Sequence, residues 1–382
     1  MNKLAIIGAG EFQLPLIQKA SELGYETHVF AWEDGAVGKK EADFFYPISV
    51  LDECKILSIC EQIKPDGVVS IASEVCYVTA TRVAFHLGLP CNDPSYLKSQ
   101  TNKYHMRKAF ASAGLAVPKF FMTKERDFNP VGMEFPLIVK PTDRSGSRAI
   151  YKIVQLSDLQ GALERALKES FEHEAIIEEF FDGDEFSCEC ISSNGKHTAL
   201  AFTKKYTTNA PHFIETGHIQ PAELNCDINE SIQEEVFRAL DALNVKNGAS
   251  HTEFRMNRNG KMCIMEIGAR MGGDCIGSHL VPLSTGYDYM KMVIDIATGK
   301  SPSMLVVSTK NQAAVKFIFN ENDRKKVDNL EQMYPEAVIF RSRRSCGDFQ
   351  DIADSSMRWG YTIFSTNDDC VMNEVKNIVC GS

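Results

Sequence analysis

This chain of 382 residues has no apolar run as long as the ~18 residues a membrane-spanning helix requires, so no membrane partner is expected. Its opening stretch, MNKLAIIGAGEF, has too short an apolar core for a secretion signal, which points to a cytoplasmic protein. Basic residues are outnumbered: 41 Lys and Arg stand against 51 Asp and Glu, a net charge of −10 that argues against a nucleic-acid partner. The 12 cysteines form no CxxC pair and no His-spaced pattern, and the tightest spacing is Cys188-x-Cys190. That excludes a disulfide frame or a zinc ribbon and leaves reduced, mostly buried thiols. Internal repeats and low-complexity tracts are missing as well. What remains is 44% hydrophobic and 24% charged, an ordinary globular composition in a chain too long for one core.

Along the chain, KLAIIGAGEFQLPLIQKASELGYETHVFAW reads as strand, Gly-rich turn, amphipathic helix and second strand, a βαβ unit. A helix near Leu51–Gln62, the strand DGVVSIAS and a helix through Ala84 continue it, so residues 1–98 form a parallel α/β domain. After the helix in TNKYHMRKAFASAGLAVPKFF the pattern becomes strand-rich through residues 99–300. Residues 301–382 add strands at AAVKFIF, AVIFRSR and GYTIFS. The fold class is therefore α/β followed by α+β.

Several motifs invite a chemical reading. Gly8-Ala-Gly10 resembles the start of a dinucleotide fingerprint, but Gln13 takes the third glycine's place and no acid ends the second strand. The helix N-terminus as a site for some anion is favoured over NAD. TGKS at Thr298–Ser301 imitates the end of a P-loop, yet Ile294 stands where its first glycine belongs and the tetrapeptide closes a helix. In FPLIVKPTDRSGSRAIYKI, Lys140 ends an apolar strand just before a Gly-containing loop. Such an arrangement can lay N–H groups over phosphates, or it can be a plain hairpin with a snorkelling lysine. AIIEEFFDGDEF carries Glu178 and Glu179 at a strand end and Glu185 beyond a turn, either solvated strand ends or acceptors for a nucleotide.

The string TEFRMNRNGKMCIMEIGARMGG, Thr252–Gly273, is the most informative. A two-residue turn at Asn259-Gly260 pairs Arg258 with Lys261, Met256 with Cys263, Phe254 with Met265 and Glu253 with Glu266. Phe254, Met256, Cys263 and Met265 then share one face, and Glu253, Arg255, Ile264 and Glu266 the other. Facing like charges destabilise a sheet, so a cation must lie between the acids: Arg255 or Arg270 in an ion pair, or Mg²⁺. A three- or five-residue loop would break this register.

In this order, the residues resemble the ATP-grasp superfamily over essentially the whole chain. The resemblance implies a Rossmann-like pre-grasp domain (1–98), a grasp domain (99–300) with a mobile lid at about 117–184, and a C-terminal subdomain (301–382) completing the grasp body. It implies that Lys103 and Lys140 contact phosphates and that Ser145, Gly146 and Ser147 belong to the lid loop. Glu178, Glu179, Phe180 and Phe181 would meet adenine, and Glu185 the ribose. Glu253 and Glu266 would hold Mg²⁺, with Mn²⁺ as an alternative, and Arg270 the transferred phosphoryl group. The family often has E-x-N-x-R here; Gly268 replaces the Asn, a third metal ligand. EIGARMGG is similar to the amino-acid ligase branch, as is Ala210–Leu224, a substrate-side loop carrying Glu215 and His218.

The implied activity is ATP-dependent amide formation between a small-molecule carboxylate and an amine through an acyl phosphate, releasing ADP and phosphate. Glu74, Glu215, His218, His251 and Arg270 are the expected substrate residues, each also readable as a hydrogen-bonded structural side chain. Alternatives are a bicarbonate-activating, carbamate-forming enzyme, suggested by GAGEFQLPLIQKA, and a nucleotide-binding module without catalysis. An NAD-dependent dehydrogenase is a distant third. The pre-grasp domain offers a surface for a homodimer.

Overall fold

The computed structural model describes residues 2–208, 213–307, 309–344 and 355–381. Three sheets organise it. The first contains β1 (Lys3–Ile7), β2 (Glu26–Ala31), β3 (Phe44–Pro47) and β4 (Gly67–Val69), all parallel, in the order β3-β2-β1-β4. Helix Leu14–Glu22 connects β1 to β2 and helix Glu53–Ile63 connects β3 to β4, as parallel neighbours require, while helix Glu74–His86 follows β4. Covered on both faces, β1 reads as an apolar run after Lys3 and β2 turns apolar at Val29, and their apolar residues divide between two separate cores. β4 packs closely on helix Tyr289–Ala297, where a Cβ on Gly67 would meet the Ala297 carbonyl oxygen at 2.7 Å.

The second sheet is antiparallel: β5 (Phe120–Thr123), β6 (Leu137–Pro141), β7 (Tyr151–Ile153) and β8 (Ala175–Glu179), ordered β5-β8-β6-β7 and backed by helix Leu159–Glu169. The third has eight strands: β9 (Asp184–Ser193), β10 (Lys196–Thr207), β11 (Glu215–Gln220), β12 (Gly248–Met256), β13 (Met262–Gly268), β14 (Gln312–Ile318), β15 (Val338–Arg343) and β16 (Gly360–Thr366). Their order is β13-β12-β9-β10-β11-β14-β16-β15. The strands after residue 301 thus extend the sheet that carries the Glu253–Glu266 hairpin.

Two expectations are corrected here. The middle of the stretch read as a substrate-side loop, Glu215–Gln220 with Glu215 and His218, is strand β11, while residues 209–212 lie outside the described residues. The first βα turn does not offer a free anion site. Gln13 Oε1 accepts from the Gly10 N–H at 3.1 Å, and Glu11 sits in the same turn, held by Ser342 and Arg344 at 2.6 Å each. An acidic side chain and an occupied N–H oppose an anion there.

Candidate active site

The site is built on one face of β9, β12 and β13. Glu189 stands opposite His251, which stands opposite Gly268; Ser187 stands opposite Glu253, which stands opposite Glu266. The reverse face buries Phe186, Cys188, Phe254, Ile264 and Ile267 in one apolar cluster. Alternation along each strand leaves the polar set on the cavity side.

Glu253 and Glu266 face each other as expected, but by another route. Met256 pairs with Met262, so residues 257–261 close the hairpin, with Asn257 N–H donating to the Lys261 carbonyl at 3.0 Å. That odd-length loop alone would slip the register by one residue and turn the acids to opposite faces. A bulge between Glu253 and Phe254 leaves Met265 without a partner and restores the register. Phe254 therefore pairs with Ile264, and Arg255 with Cys263, in place of the expected partners. The carbonyl of the bulged Met265 accepts from Arg107 at 2.5 Å.

Neither Arg255 nor Arg270 separates the acids: Arg255 pairs with Glu185 at 3.2 Å, and Arg270 lies 3.9 Å from Glu74. The charges are met by Lys205 from β10, paired with Glu253, and by Lys103, 3.0 Å from Glu266. Lys103 is the first residue of helix Lys103–Ser112, which Asn102 caps by accepting from the Tyr104 and His105 N–H groups at 3.1 and 3.3 Å. One turn along, Arg107 is fully buried and donates to Glu178 Oε1 at 2.5 Å, while Lys140 holds Glu178 Oε2 at 2.7 Å. Glu178, expected at adenine, has both carboxylate oxygens engaged by these two cations.

The electrostatics follow from burial and these partners. Burial pushes the Glu178 carboxyl up, but Arg107 and Lys140 outweigh it and bring it down to about 2. Burial likewise opposes ionisation of Glu253 and Glu266, and Lys205 with His251, and Lys103, keep each below its ordinary value. Glu74 is raised to about 7, by burial and by the Glu266 charge. Burial lowers Lys140, with Glu178 opposing only in part. His251 lies between Glu189 and Glu253, and both carboxylates can only accept, so both ring nitrogens donate. Despite burial its value rises to about 9. With both ring nitrogens donating, it has no lone pair for a substrate proton. His218 is the reverse case: buried, with neither ring nitrogen hydrogen-bonded among the described residues and Asp274 4.0 Å from Nε2, and lowered by burial to about 4.

These groups converge on a cavity of about 380 Å³. Lys103, Lys140, Ser145, Gly146, Ser147, Glu178, Glu179, Phe180, Phe181, Glu185, Glu215, His218, His251, Glu253, Glu266 and Arg270 all line it. Glu74 lines a neighbouring hollow behind Arg144 and Ser145 and reaches the site through Arg270. The loop after β6 bends with Gly146 and Ser147 at φ of 73° and 57°, and Ser147 Oγ donates to the Phe213 carbonyl at 3.0 Å. Phe180 lies under Lys152 Nζ, 3.7 Å from the ring centre. Gly268 leaves room for Arg270: a Cβ there would meet its guanidinium carbon at 3.1 Å. Among the described residues, no three His, Cys, Asp or Glu gather as a metal cluster. Two facing carboxylates nevertheless fit Mg²⁺, which takes one or two from the protein and completes its shell with water and phosphate oxygens.

Sequence reasoning missed Lys205, Arg107, Glu189, Asp274 and Arg358. Arg358 grips both Asp274 oxygens at 2.7 and 2.8 Å and lies 3.7 Å from Glu215, beyond the acids. For Lys205 a signal existed: neighbouring strand residues point to opposite faces, so one of Lys204 and Lys205 had to face inward.

Residues 133–278 match the family model described as ATP-grasp domain. The chain is 29% identical over 201 residues to a D-alanine–D-alanine ligase of Parabacteroides distasonis, covering 49% of this chain and 59% of that protein. It is 27% identical over 271 residues to an alanine–anticapsin ligase of Bacillus subtilis, covering 62% and 57%. It thus spans under two thirds of the length of these curated relatives. Among solved structures, an L-amino acid ligase from Bacillus licheniformis superposes with a TM-score of 0.84 at 22% identity, over 99% of this chain and 97% of that one. The chain has the ATP-grasp fold, and residues 133–278 are the part that matches the family model.

Proposed function

We propose that the protein is an ATP-dependent carboxylate–amine ligase that joins amino acids through an acyl phosphate and releases ADP and phosphate. The observation that carries this reading is the facing of Glu253 and Glu266 within reach of Lys103 and Lys205, in a cavity that Lys140 and Arg270 also line. The ligase names of both curated relatives support it. We assign residues 1–98 as the pre-grasp domain and about 117–184 as the lid.

A carboxylate resists attack because its own charge repels a nucleophile. Phosphorylation removes that obstacle: a carboxylate oxygen bonds to the γ-phosphorus of ATP and the bond to ADP breaks. The amine lone pair then attacks the acyl carbon, and phosphate leaves with that oxygen while the amine's proton passes to a base. In such transfers the protein chiefly positions groups and stabilises charge. Glu253 and Glu266 would hold Mg²⁺, which when bound neutralises phosphate charge. Lys103, Lys140 and Lys205 supply fixed positive charge around the phosphates, and Arg270 holds the carboxylate being activated. Glu74, beside Arg270, receives the amine's ammonium form. Glu215, the neutral His218 and the Arg358-bound Asp274 form the substrate end of the cavity.

The test is a phosphate-release screen of amino-acid pairs with Mg·ATP. At least one pair should release phosphate and ADP in equal amounts, and hydroxylamine should divert the product to a hydroxamate. Phosphate release driven by bicarbonate alone, with no hydroxamate from any amino acid, would replace this reading with carbamate formation.

A further inference from the structure

Beneath Glu253 lies a buried chain of contacts that the ligase reading leaves unexplained. Glu189 on β9 and His251 on β12 face each other in register. The fully buried Glu189 takes His251 Nδ1 on one carboxylate oxygen and the Gly272 N–H on the other, at 3.2 Å. His251 Nε2 in turn donates to Glu253 Oε1 at 3.1 Å. Lys205 holds the same oxygen, and among the described residues every hydrogen bond and ion pair of Glu253 falls on Oε1, none on Oε2.

Gly272 closes the arrangement. A Cβ there would lie 2.8 Å from His251 Nδ1 and 2.9 and 3.0 Å from the two Glu189 oxygens. Gly272 is not among the glycines with positive φ, so its backbone conformation suits any residue. The Glu189–His251 pair alone reserves the position for glycine. This gives a physical reason for the spacing of Glu266 and Gly272 in EIGARMGG.

We infer that Glu189, His251 and Gly272 form a positioning relay that pins Glu253 by Oε1 and turns Oε2 toward a divalent cation. The inference rests on the ligase reading of Glu253 and Glu266 as the metal-holding acids. A glutamate opposite another glutamate would otherwise rotate away from its neighbour's charge. Residues behind metal ligands fix ligand orientation in this way, and their loss weakens metal binding.

The experiment titrates Mn²⁺ into the full chain with saturating ADP, reading free metal by electron paramagnetic resonance. Wild type should bind Mn²⁺. Glu189→Gln, which keeps the side-chain volume, and Gly272→Ala, which removes no polar group, should each weaken binding by about 10- to 100-fold. ADP binding without metal should stay unchanged in both. Mn²⁺ affinity that survives in both variants, or falls only in step with metal-free ADP affinity, overturns the relay and leaves the ligase reading intact. Failure of the wild type to bind Mn²⁺ with ADP overturns both. Glu189→Gln guards against a Gly272→Ala variant that fails to fold.

Discussion

Glu178 and the Glu253–Glu266 pair line the same cavity, yet their charges are met in different ways. Glu178 has two cations of its own, Arg107 and Lys140, one on each oxygen. Glu253 and Glu266 are directly opposed across a hairpin and depend on lysines delivered from β10 and from the start of a helix. A carboxylate with both oxygens gripped is a structural anchor. Two facing carboxylates cost stability unless cations meet them, as Lys103 and Lys205 do, and in the ligase reading the pair is kept to hold a metal ion.

Three experiments bear on that contrast. The largest effect is expected at the facing pair, on activity: Glu266→Ala should cut ADP formation by at least about 10³-fold, some 4 kcal/mol. Its urea midpoint should stay near wild type. Turnover within tenfold of wild type would remove the acid pair from the chemistry. Next, Arg107→Met should cost about 3–5 kcal/mol of folding stability, because it leaves Glu178 buried with one partner. Glu266→Gln, which relieves a like-charge contact, should stay within about 1 kcal/mol of wild type in the same urea titration. Equal losses in the two variants would erase the distinction between anchor and facing pair.

The smallest effect is in acid. Glu178 sits at about 2 against an ordinary 4.5, so the folded state binds its proton less readily than the unfolded chain. Its contribution, about 3 kcal/mol, is complete above pH 4.5 and is lost as pH falls toward 2. In urea titrations from pH 5 to 2.5, wild type should lose stability more steeply than Glu178→Gln. Parallel pH profiles would show that the anchor is not ionised as described.

Much of this was legible in the chain. β1 announced itself as an apolar run because both its faces are covered, and the ATP-grasp fold follows the order of motifs. The facing of Glu253 and Glu266 was also readable, though two irregularities cancelled to produce it. The longer loop and the bulge at Met265 each shift the register by one, and neither leaves a mark in residue type. What stayed hidden depends on strand order. β9 and β12 are neighbours in the sheet though far apart in sequence, so nothing local joins Glu189 to His251. Asp274 and Arg358, 84 residues apart, meet only once the later strands are in place. Arg107, one helical turn after Lys103, reads as a solvated charge until Glu178 is found beside it.

In the ligase reading, a carboxylate is activated by phosphorylation. The most direct measurement uses an amino-acid substrate labelled with oxygen-18 in its carboxylate, turned over with Mg·ATP and a second amino acid. One labelled oxygen should appear in the released inorganic phosphate, with ADP as the nucleotide product. Label recovered in AMP, or unlabelled phosphate alongside a finished amide, would contradict the acyl-phosphate route.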